Sequence, residues 1–176
     1  LRVYDADNPE IGTNKSNLGV LLLEDGELDQ AEPLLRDALA SDRKHRGDAF
    51  DDLAYPLHNL GYLLFVTGRH DEAAQLLEEG LLIAEQHKHR MRGPILNALA
   101  DLRCTTGAAE AGRALADRAV AAYADAEPAD AWRAAQARLT QAYCRAQQGE
   151  SVSRSPFASD VKQVRERWPR ANPFRA

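Results

Sequence analysis

The chain has 176 residues, of which 44% are hydrophobic and only 6% aromatic, and its formal net charge is −5. Its apolar content is therefore mostly alanine and leucine, which favour helices, and it lacks the β-branched and aromatic runs that favour strands. The acidic charge argues against nucleic-acid binding, and no apolar run approaches the roughly 18 residues that a membrane span needs. We expect an all-α, cytoplasmic protein that binds neither nucleic acid nor membrane.

The first ten residues predict the end of one helix and a linker to the next. Leu1 to Asp5 has the character of a last helical turn, and Asn8-Pro9 would break it before a new helix begins near Ile11. The chain also starts without a methionine. We therefore expect a piece of a longer protein.

Residues 17–39 and 59–81 are near copies of one another. Five pairs of matching residues are each 42 positions apart: Asn17 and Asn59, Gly26 and Gly68, Ala31 and Ala73, Leu35 and Leu77, and Leu39 and Leu81. A fixed period of this length is typical of a stacked array of helical hairpins.

Each copy predicts two helices joined by a tight turn. In the first copy, Leu18, Leu21 and Leu22 share one face of the first helix, and Asp25-Gly26 ends that helix just before the second one starts. A connection this short makes the two helices antiparallel. Glycines in the middle of the first helices, Gly19 and Gly61, predict points of close helix approach.

Two weaker copies follow. Adding 39 takes Gly68 to Gly107 and Gly61 to Ala100, while Gly112 stands where the first two copies have alanine. Adding 42 again takes Gly107 to Gly149, so residues 131–149 predict the first helix of a fourth repeat without a recognisable partner helix. The expected repeats are about 11–52, 53–91, 92–128 and 129–149, preceded by the linker at 1–10 and followed by a degenerate capping helix and tail at 150–176.

The residues with reactive side chains are not arranged as a site. Cys104 and Cys144 lack the spacing of a disulfide or zinc motif, and we expect two ordinary buried residues. His87 and His89 have no identifiable third ligand, so they predict a solvated helix end and no metal. Carboxylates such as Glu32 are spread along turns and outer faces, where they favour solubility. No catalytic motif or cofactor-binding loop occurs, and we expect neither catalysis nor a cofactor.

Small residues recur at one spacing in the first three repeats. They form three triplets: Gly19, Ala31 and Ala38; Gly61, Ala73 and Gly80; and Ala100, Gly112 and Ala119. This spacing resembles the tetratricopeptide repeat, and the 42-residue period is similar to its kinesin-light-chain subtype, here of bacterial type, over residues 1–149. The resemblance implies a right-handed α-solenoid of antiparallel helix hairpins.

In that family the first helices line a concave groove that binds a peptide segment of a partner protein. Carried over by position, the resemblance implies these groove residues, with Cys104 as a further candidate: Thr13, Ser16, Asn17, Val20, Tyr55, His58, Asn59, Tyr62, Asn97, Asp101, Gln136 and Tyr143. Asparagine amides can both donate to and accept from a peptide backbone, and tyrosines offer contact area at low entropic cost. The same asparagines could instead bond only to a neighbouring helix. These positions lack the Lys and Arg residues that hold a C-terminal carboxylate in several family members, so carboxylate capture is not expected.

The resemblance implies a protein-interaction scaffold. An alternative is a regulatory or oligomerisation segment of a larger signalling protein, such as a kinase or transcription regulator, which stacks or dimerises through the open ends of the array. A third possibility concerns residues 151–176, which carry a net charge of +4 against −9 for the rest, together with Phe157, Trp168 and Phe174. This tail could fold back and shield the groove.

Overall fold

The computed structural model describes residues 9–48, 50–124, 130–153 and 157–167. All regular structure in these ranges is helical, and the chain divides into two compact halves, residues 1–89 and 90–176, each built from antiparallel helical hairpins. The fold is therefore all-α and of the α-solenoid class that the sequence predicts. The expected upstream turn at Leu1 to Asp5, and Trp168 and Phe174 of the expected shielding tail, lie outside the described residues. Within the described ranges, no helix combines the length and apolar character needed to cross a bilayer.

The N-terminal half contains the first two repeats. Repeat 1 consists of α1, Pro9–Asp25, and α2, Leu28–Arg46; repeat 2 consists of α3, Ala54–Val66, and α4, His70–Gln86. A single 3₁₀ turn, Asp51–Leu53, leads into α3. Each pair packs along its length, and α2 also packs against α3, so the two hairpins share one core.

One turn design ends the first helix of every repeat. Gly68 has a φ of +80°, a left-handed conformation that side chains disfavour, and the next residue, Arg69, donates its backbone N–H to the carbonyl of Leu64 at 2.8 Å. This bond closes a Schellman motif, which satisfies a carbonyl that the end of the helix would leave unpaired. Gly26, Gly107 and Gly149 also have a positive φ, and the residue after each of them makes the equivalent backbone hydrogen bond.

The predicted close approaches at Gly19 and Gly61 are confirmed. A Cβ added at Gly61 would lie 2.8 Å from Cγ of Leu77, and one added at Gly19 would lie 2.8 Å from Cδ2 of Leu35. Both leucines are fully buried. The missing side chain on the first helix therefore makes room for a leucine on the second helix of the same repeat.

Leu18 and Leu21, two of the leucines that share one face of α1, are not part of the core. They are 49% and 59% exposed, whereas their equivalents in α3, Leu60 and Leu63, are 1% and 0% exposed. The difference arises because α2 of the preceding repeat packs against α3, while among the described residues no helix precedes α1. These two leucines form an apolar stripe on the outer face of α1.

Glu32 has a role beyond the solubility expected of the carboxylates, because it takes part in an ion-pair network. Arg69 donates to its carboxylate through both Nη atoms, one of them at 2.7 Å from Oε1, and Arg36 Nε donates to the same Oε1 at 2.8 Å. Arg36 Nη2 in turn donates to Glu72 at 2.7 Å. Glu32 and Arg36 lie on α2, while Arg69 and Glu72 belong to repeat 2, so this network joins two repeats.

The C-terminal half contains α5, Arg92–Thr105, and α6, Ala109–Ala122, which form repeat 3, followed by α7, Ala131–Gln147, and α8, Ala158–Arg167. Helix α8 lies in the segment predicted as a degenerate capping helix, and it packs on α7 as the partner helix of the fourth repeat. Its Asp160 is buried and accepts two bonds from Arg138 of α7, at 2.8 and 2.5 Å. The two helices therefore form a fourth hairpin.

Cys104 and Cys144 form a disulfide, which overturns the prediction of two ordinary buried residues. Their Cα atoms are 5.3 Å apart, and the bridge joins α5 to α7. Sequence spacing misses the bond because the cysteines are 40 positions apart and meet only when two hairpins stack. The bridge lies in a small core with Ala100 and Ala116, packed against Leu115 and Tyr143.

Candidate binding surface on the first helices

All of the predicted groove residues lie on the first helices of the four repeats. Helix α1 carries Thr13, Ser16, Asn17 and Val20; α3 carries Tyr55, His58, Asn59 and Tyr62; α5 carries Asn97 and Asp101; and α7 carries Gln136 and Tyr143. In the N-terminal half, α1 and α3 touch; in the C-terminal half, α5 and α7 do. Peptide contact by these residues remains a prediction, and their surroundings decide which of them are available.

Helix α3 presents a row of rings along one face. His58 and Tyr62 are stacked with an interplanar angle of 10° and centroids 6.3 Å apart, and Tyr62 is followed by Phe65 at 6.4 Å. Tyr55 begins the row, and all four rings are partly exposed. Because residues three and four apart share a helix face, positions 55, 58, 62 and 65 form a continuous strip, called here the α3 aromatic row. A strip of this kind offers apolar contact area to a partner.

Polar groups flank the α3 aromatic row. Asn59 is partly exposed, and its Oδ1 lies 3.2 Å from Nδ1 of His58. At the other end, the ring of His89 meets Tyr55 edge-on with centroids 5.1 Å apart, while Nε2 of His89 lies 3.3 Å from Oδ1 of Asp52. These contacts hold Tyr55 and His58 in place, which lowers the entropy that a partner must remove on binding.

Helix α1 adds exposed polar side chains to the same half. Thr13 and Asn17 are exposed, and Ser16 and Val20 are partly exposed. The only basic residue of this helix, Lys15, donates to Asp37 of α2 at 2.7 Å. No Lys or Arg occurs in α3, so the surface of α1 and α3 has little positive charge to offer an acidic group.

The polar residues of α5 are less available. Asn97 and Asp101 are only 4% and 3% exposed. Burial raises the pKa of Asp101 to about 7, against the smaller opposing effect of a hydrogen bond from Thr140 of α7. Among the described residues, Oδ1 of Asn97 is one of few buried side-chain atoms without a hydrogen-bond partner. Asn97 and Asp101 are therefore buried within the fold and are not open to a binding partner in this structure.

Helix α7 carries Tyr143 beside the disulfide and Gln136 two turns earlier. Tyr143 directly precedes Cys144, and its hydroxyl lies 3.4 Å from Oγ1 of Thr105 on α5. Gln136 and Tyr143 are both partly exposed. In the C-terminal half, these two side chains are therefore the more accessible part of the candidate surface.

Sequence reasoning missed two residues of this surface, Phe65 and His89, and also the buried Thr140 that bonds to Asp101. Phe65 could have been found, because it follows Tyr62 by three positions on the same helix face. His89 and Thr140 gave no such signal, since each reaches its partner from another helix or from the end of one. The described residues contain no group of His, Cys, Asp or Glu side chains that could hold a metal ion.

The comparisons with known proteins agree with the helical-repeat fold. Residues 15–51 and 56–87 match a model of the tetratricopeptide repeat. The chain is similar to the nearly identical TPR-like repeats of a putative kinesin light chain from Podosopora anserina, with a TM-score of 0.66, 19% identity, and coverage of 94% of this chain and 78% of that chain. A variant of those repeats with one substitution has a TM-score of 0.68 at the same identity and coverage.

A third similar structure is BtubC (BKLC) from P. vanneervenii. Its TM-score is 0.74 at 17% identity, with coverage of 98% of this chain and 69% of that chain. At identities this low, the likeness concerns the fold. No curated protein matches the sequence.

Proposed function

We propose that this chain, which carries tetratricopeptide repeats at residues 15–51 and 56–87, is a scaffold that binds a peptide segment of a partner protein on its first helices. Tetratricopeptide repeats generally mediate protein–protein interactions and are typically not catalytic. The proposal therefore includes no enzymatic activity and no cofactor. It also keeps the cytoplasm as the expected location.

The α3 aromatic row is the observation that carries this proposal. Its four rings are ordered by contacts with one another and with His89, yet each keeps part of its surface open. Rigid aromatic side chains of this kind contribute binding area at low entropic cost. Asn59 lies beside the row, and its amide can pair with a peptide backbone regardless of the peptide's sequence.

The charges narrow the chemistry of the partner. Lys15 is paired with Asp37, and α3 contains no Lys or Arg. A segment recognised mainly through a terminal carboxylate or a phosphate would find little charge complementarity on α1 and α3. The proposed partner is therefore an extended or helical segment with apolar or aromatic side chains.

The test begins with a random-peptide display library panned against the whole chain. The affinity of a recovered peptide is then measured for the native chain and for the double variant Asn59→Ala, Tyr62→Ala. We expect the variant to bind at least about tenfold more weakly, since aromatic residues dominate binding energy. Circular dichroism should show unchanged helical content.

A matched control changes two exposed residues on the second helix of the same repeat, Gln75→Ala and Gln86→Ala. This variant should bind the peptide as the native chain does. Equal binding by the Asn59→Ala, Tyr62→Ala variant, or equal losses in both variants, would count against α3 as the binding surface.

A second candidate function is self-association or packing within a larger signalling protein. It is favoured by the exposed stripe of Leu18 and Leu21, whose equivalents in repeat 2 are covered. Sedimentation of the native chain should then show concentration-dependent association, which Leu18→Ser with Leu21→Ser removes. A monomer at all concentrations would rule out self-association through this stripe.

A further inference from the structure

The disulfide joins the first helices of two successive repeats. Cys104 lies in the last turn of α5 and Cys144 in the last turn of α7, and they are 2% and 0% exposed. Apart from this bond, α7 is held by contacts with α5, α6 and α8. The bridge is thus a covalent link between repeat 3 and the α7–α8 hairpin.

The core around the bridge is poor in large side chains. In repeat 2, Gly61 packs against Leu77; the equivalent residues in repeat 3 are Ala100 and Ala116, which lie in one cluster with the two cysteines. Buried residues of α7 are also small: Ala135, Ala137, Thr140, Ala142 and Cys144. Because hydrophobic stabilisation scales with buried apolar area, α7 gains less from packing than a leucine-rich helix would.

Helix α6 leaves space for the bridge. A Cβ added at Gly112 would overlap the sulfur of Cys104, and it would lie 2.9 Å from backbone atoms of Ala100 and Cys104. Repeats 1 and 2 have alanine at this position, Ala31 and Ala73. Glycine at 112 therefore allows α6 to pack directly against the sulfur.

We propose that the Cys104–Cys144 bridge is a redox-dependent link that controls whether the α7–α8 hairpin stays packed on repeat 3. When the bridge is oxidised, the hairpin is held against α5. When it is reduced, the hairpin opens while repeat 3 stays folded. This inference does not depend on peptide binding.

The redox step is a two-electron thiol–disulfide exchange. A thiolate of a dithiol reductant attacks one sulfur of the bridge, which breaks the S–S bond and gives a mixed disulfide. The second thiol of the reductant then displaces the cysteine that is held in the mixed disulfide. Both cysteines end as thiols, which together carry two protons, and the reductant becomes a cyclic disulfide. Oxidised glutathione reverses the reaction and is itself reduced to two thiols. Both cysteines are buried and the intact bridge holds α7 against α5, so the reductant gains access through a local opening of the packing around the bridge.

Hydrogen–deuterium exchange of the whole chain tests the proposal. The chain is treated either with oxidised glutathione or with dithiothreitol, and exchange is followed by mass spectrometry for each helix. The bridge closes a loop of 40 residues and so restricts the open state of the hairpin. Reducing the bridge should therefore raise the equilibrium constant for opening of α7 and α8 by about 10²- to 10³-fold. Amides of α7 and α8 should then exchange faster by a similar factor, and those of α1 to α4 should not change.

The double variant Cys104→Ala, Cys144→Ala is the control. It should exchange like the reduced chain in both buffers. Equal protection of α7 and α8 in the oxidised and reduced chains would overturn the proposal, as would an equal loss of protection in α5 and α6. Two titratable thiols in the unfolded chain after glutathione treatment would also overturn it, because the bridge would then not form.

Discussion

Arg69, the first residue after the turn of repeat 2, is bound to Glu32 on α2 of repeat 1 through both ends of its guanidinium group. The hydrogen bond from Arg69 is the main cause that lowers the pKa of Glu32 to about 2, with a smaller contribution from Arg36. Two parallel bonds of this kind constrain orientation as well as distance. The pair therefore helps to set the register of α4 against α2.

Repeats 3 and 4 contain the same contact with the charges exchanged. Arg113 of α6 stands at the position of Glu32, and it donates at 2.5 Å to Glu150, which stands at the position of Arg69. The corresponding positions in repeats 2 and 3 are Ala74 and Ala108, which carry no charge. An exchanged pair of this kind disfavours stacking one repeat on the wrong neighbour, because like charges would meet.

The exchanged pair predicts the outcome of a charge swap in the N-terminal half. Glu32→Arg alone should destabilise this half by about 1 to 2 kcal/mol, because Arg69 then faces a like charge in a partly exposed site. Adding Arg69→Glu should recover most of the loss by recreating the pair seen at Arg113 and Glu150. Urea unfolding followed by circular dichroism measures the coupling, and strictly additive losses would contradict it.

Glu32 also makes stability depend on pH. Its pKa falls from 4.5 to about 2 on folding, so its contribution is complete above pH 4.5 and is lost as the pH falls through 2. Allowing for solvent screening, we expect the free energy of unfolding to fall by about 1 kcal/mol between pH 7 and pH 2. The variant Glu32→Gln should lose less stability over this range in urea unfolding; an unchanged pH profile would argue against the assignment.

Asp101 predicts the opposite pH dependence in the C-terminal half. Its pKa rises from 3.8 to about 7 on folding because burial disfavours the charged carboxylate, so stability present below pH 3.8 is lost as the pH rises through 7. Asp101→Asn should therefore stabilise this half at pH 8 relative to the native chain, by up to about 4 kcal/mol. It should have little effect at pH 4.

Tryptophan fluorescence can measure this effect, because both tryptophans, Trp132 and Trp168, lie in the C-terminal half. Urea unfolding of the native chain and of Asp101→Asn is compared at pH 4 and pH 8. A variant that is less stable at both values would show that Asp101 is charged and favourably bound in the folded chain.

The close approach at Gly61 predicts that a single methyl group is harmful. Gly61→Ala places a Cβ 2.8 Å from Leu77, and overpacking of this kind costs about 1 to 3 kcal/mol. The same substitution in a Leu77→Ala background should cost less, because this pair of alanines is the natural one in repeat 3, at Ala100 and Ala116. Leu77→Ala alone should cost about 2 to 5 kcal/mol through the cavity it leaves.

Thermal unfolding of the four chains in this cycle gives the coupling between the two positions. Gln75→Ala, an exposed change on α4, serves as the control and should leave stability nearly unchanged. If Gly61→Ala cost the same with and without the Leu77 side chain, the contact at Gly61 would not be what selects glycine there.

The sequence by itself determined the helical hairpins and their turns. Gly68 and its equivalents are needed because the backbone is left-handed there, and Gly61 is needed because Leu77 occupies the space of a side chain. Requirements of this kind depend on a residue's own conformation or on one partner within the same repeat. They recur with the period of the repeat, so a periodic sequence displays them.

Only the tertiary structure decided which residues meet between repeats. The bridge between Cys104 and Cys144, the bond from Arg69 to Glu32, the burial of Asp101 and the exposure of Leu21 all depend on the repeat that does or does not pack alongside. The amino acid at the positions of Cys104, Arg69 and Asp101 changes from one repeat to the next, so no period reveals these contacts. At Leu21 the repeat keeps a leucine, as at Leu63, so the period does not show that only Leu63 is covered. Such contacts follow from the three-dimensional stacking of helices, which local sequence chemistry does not encode.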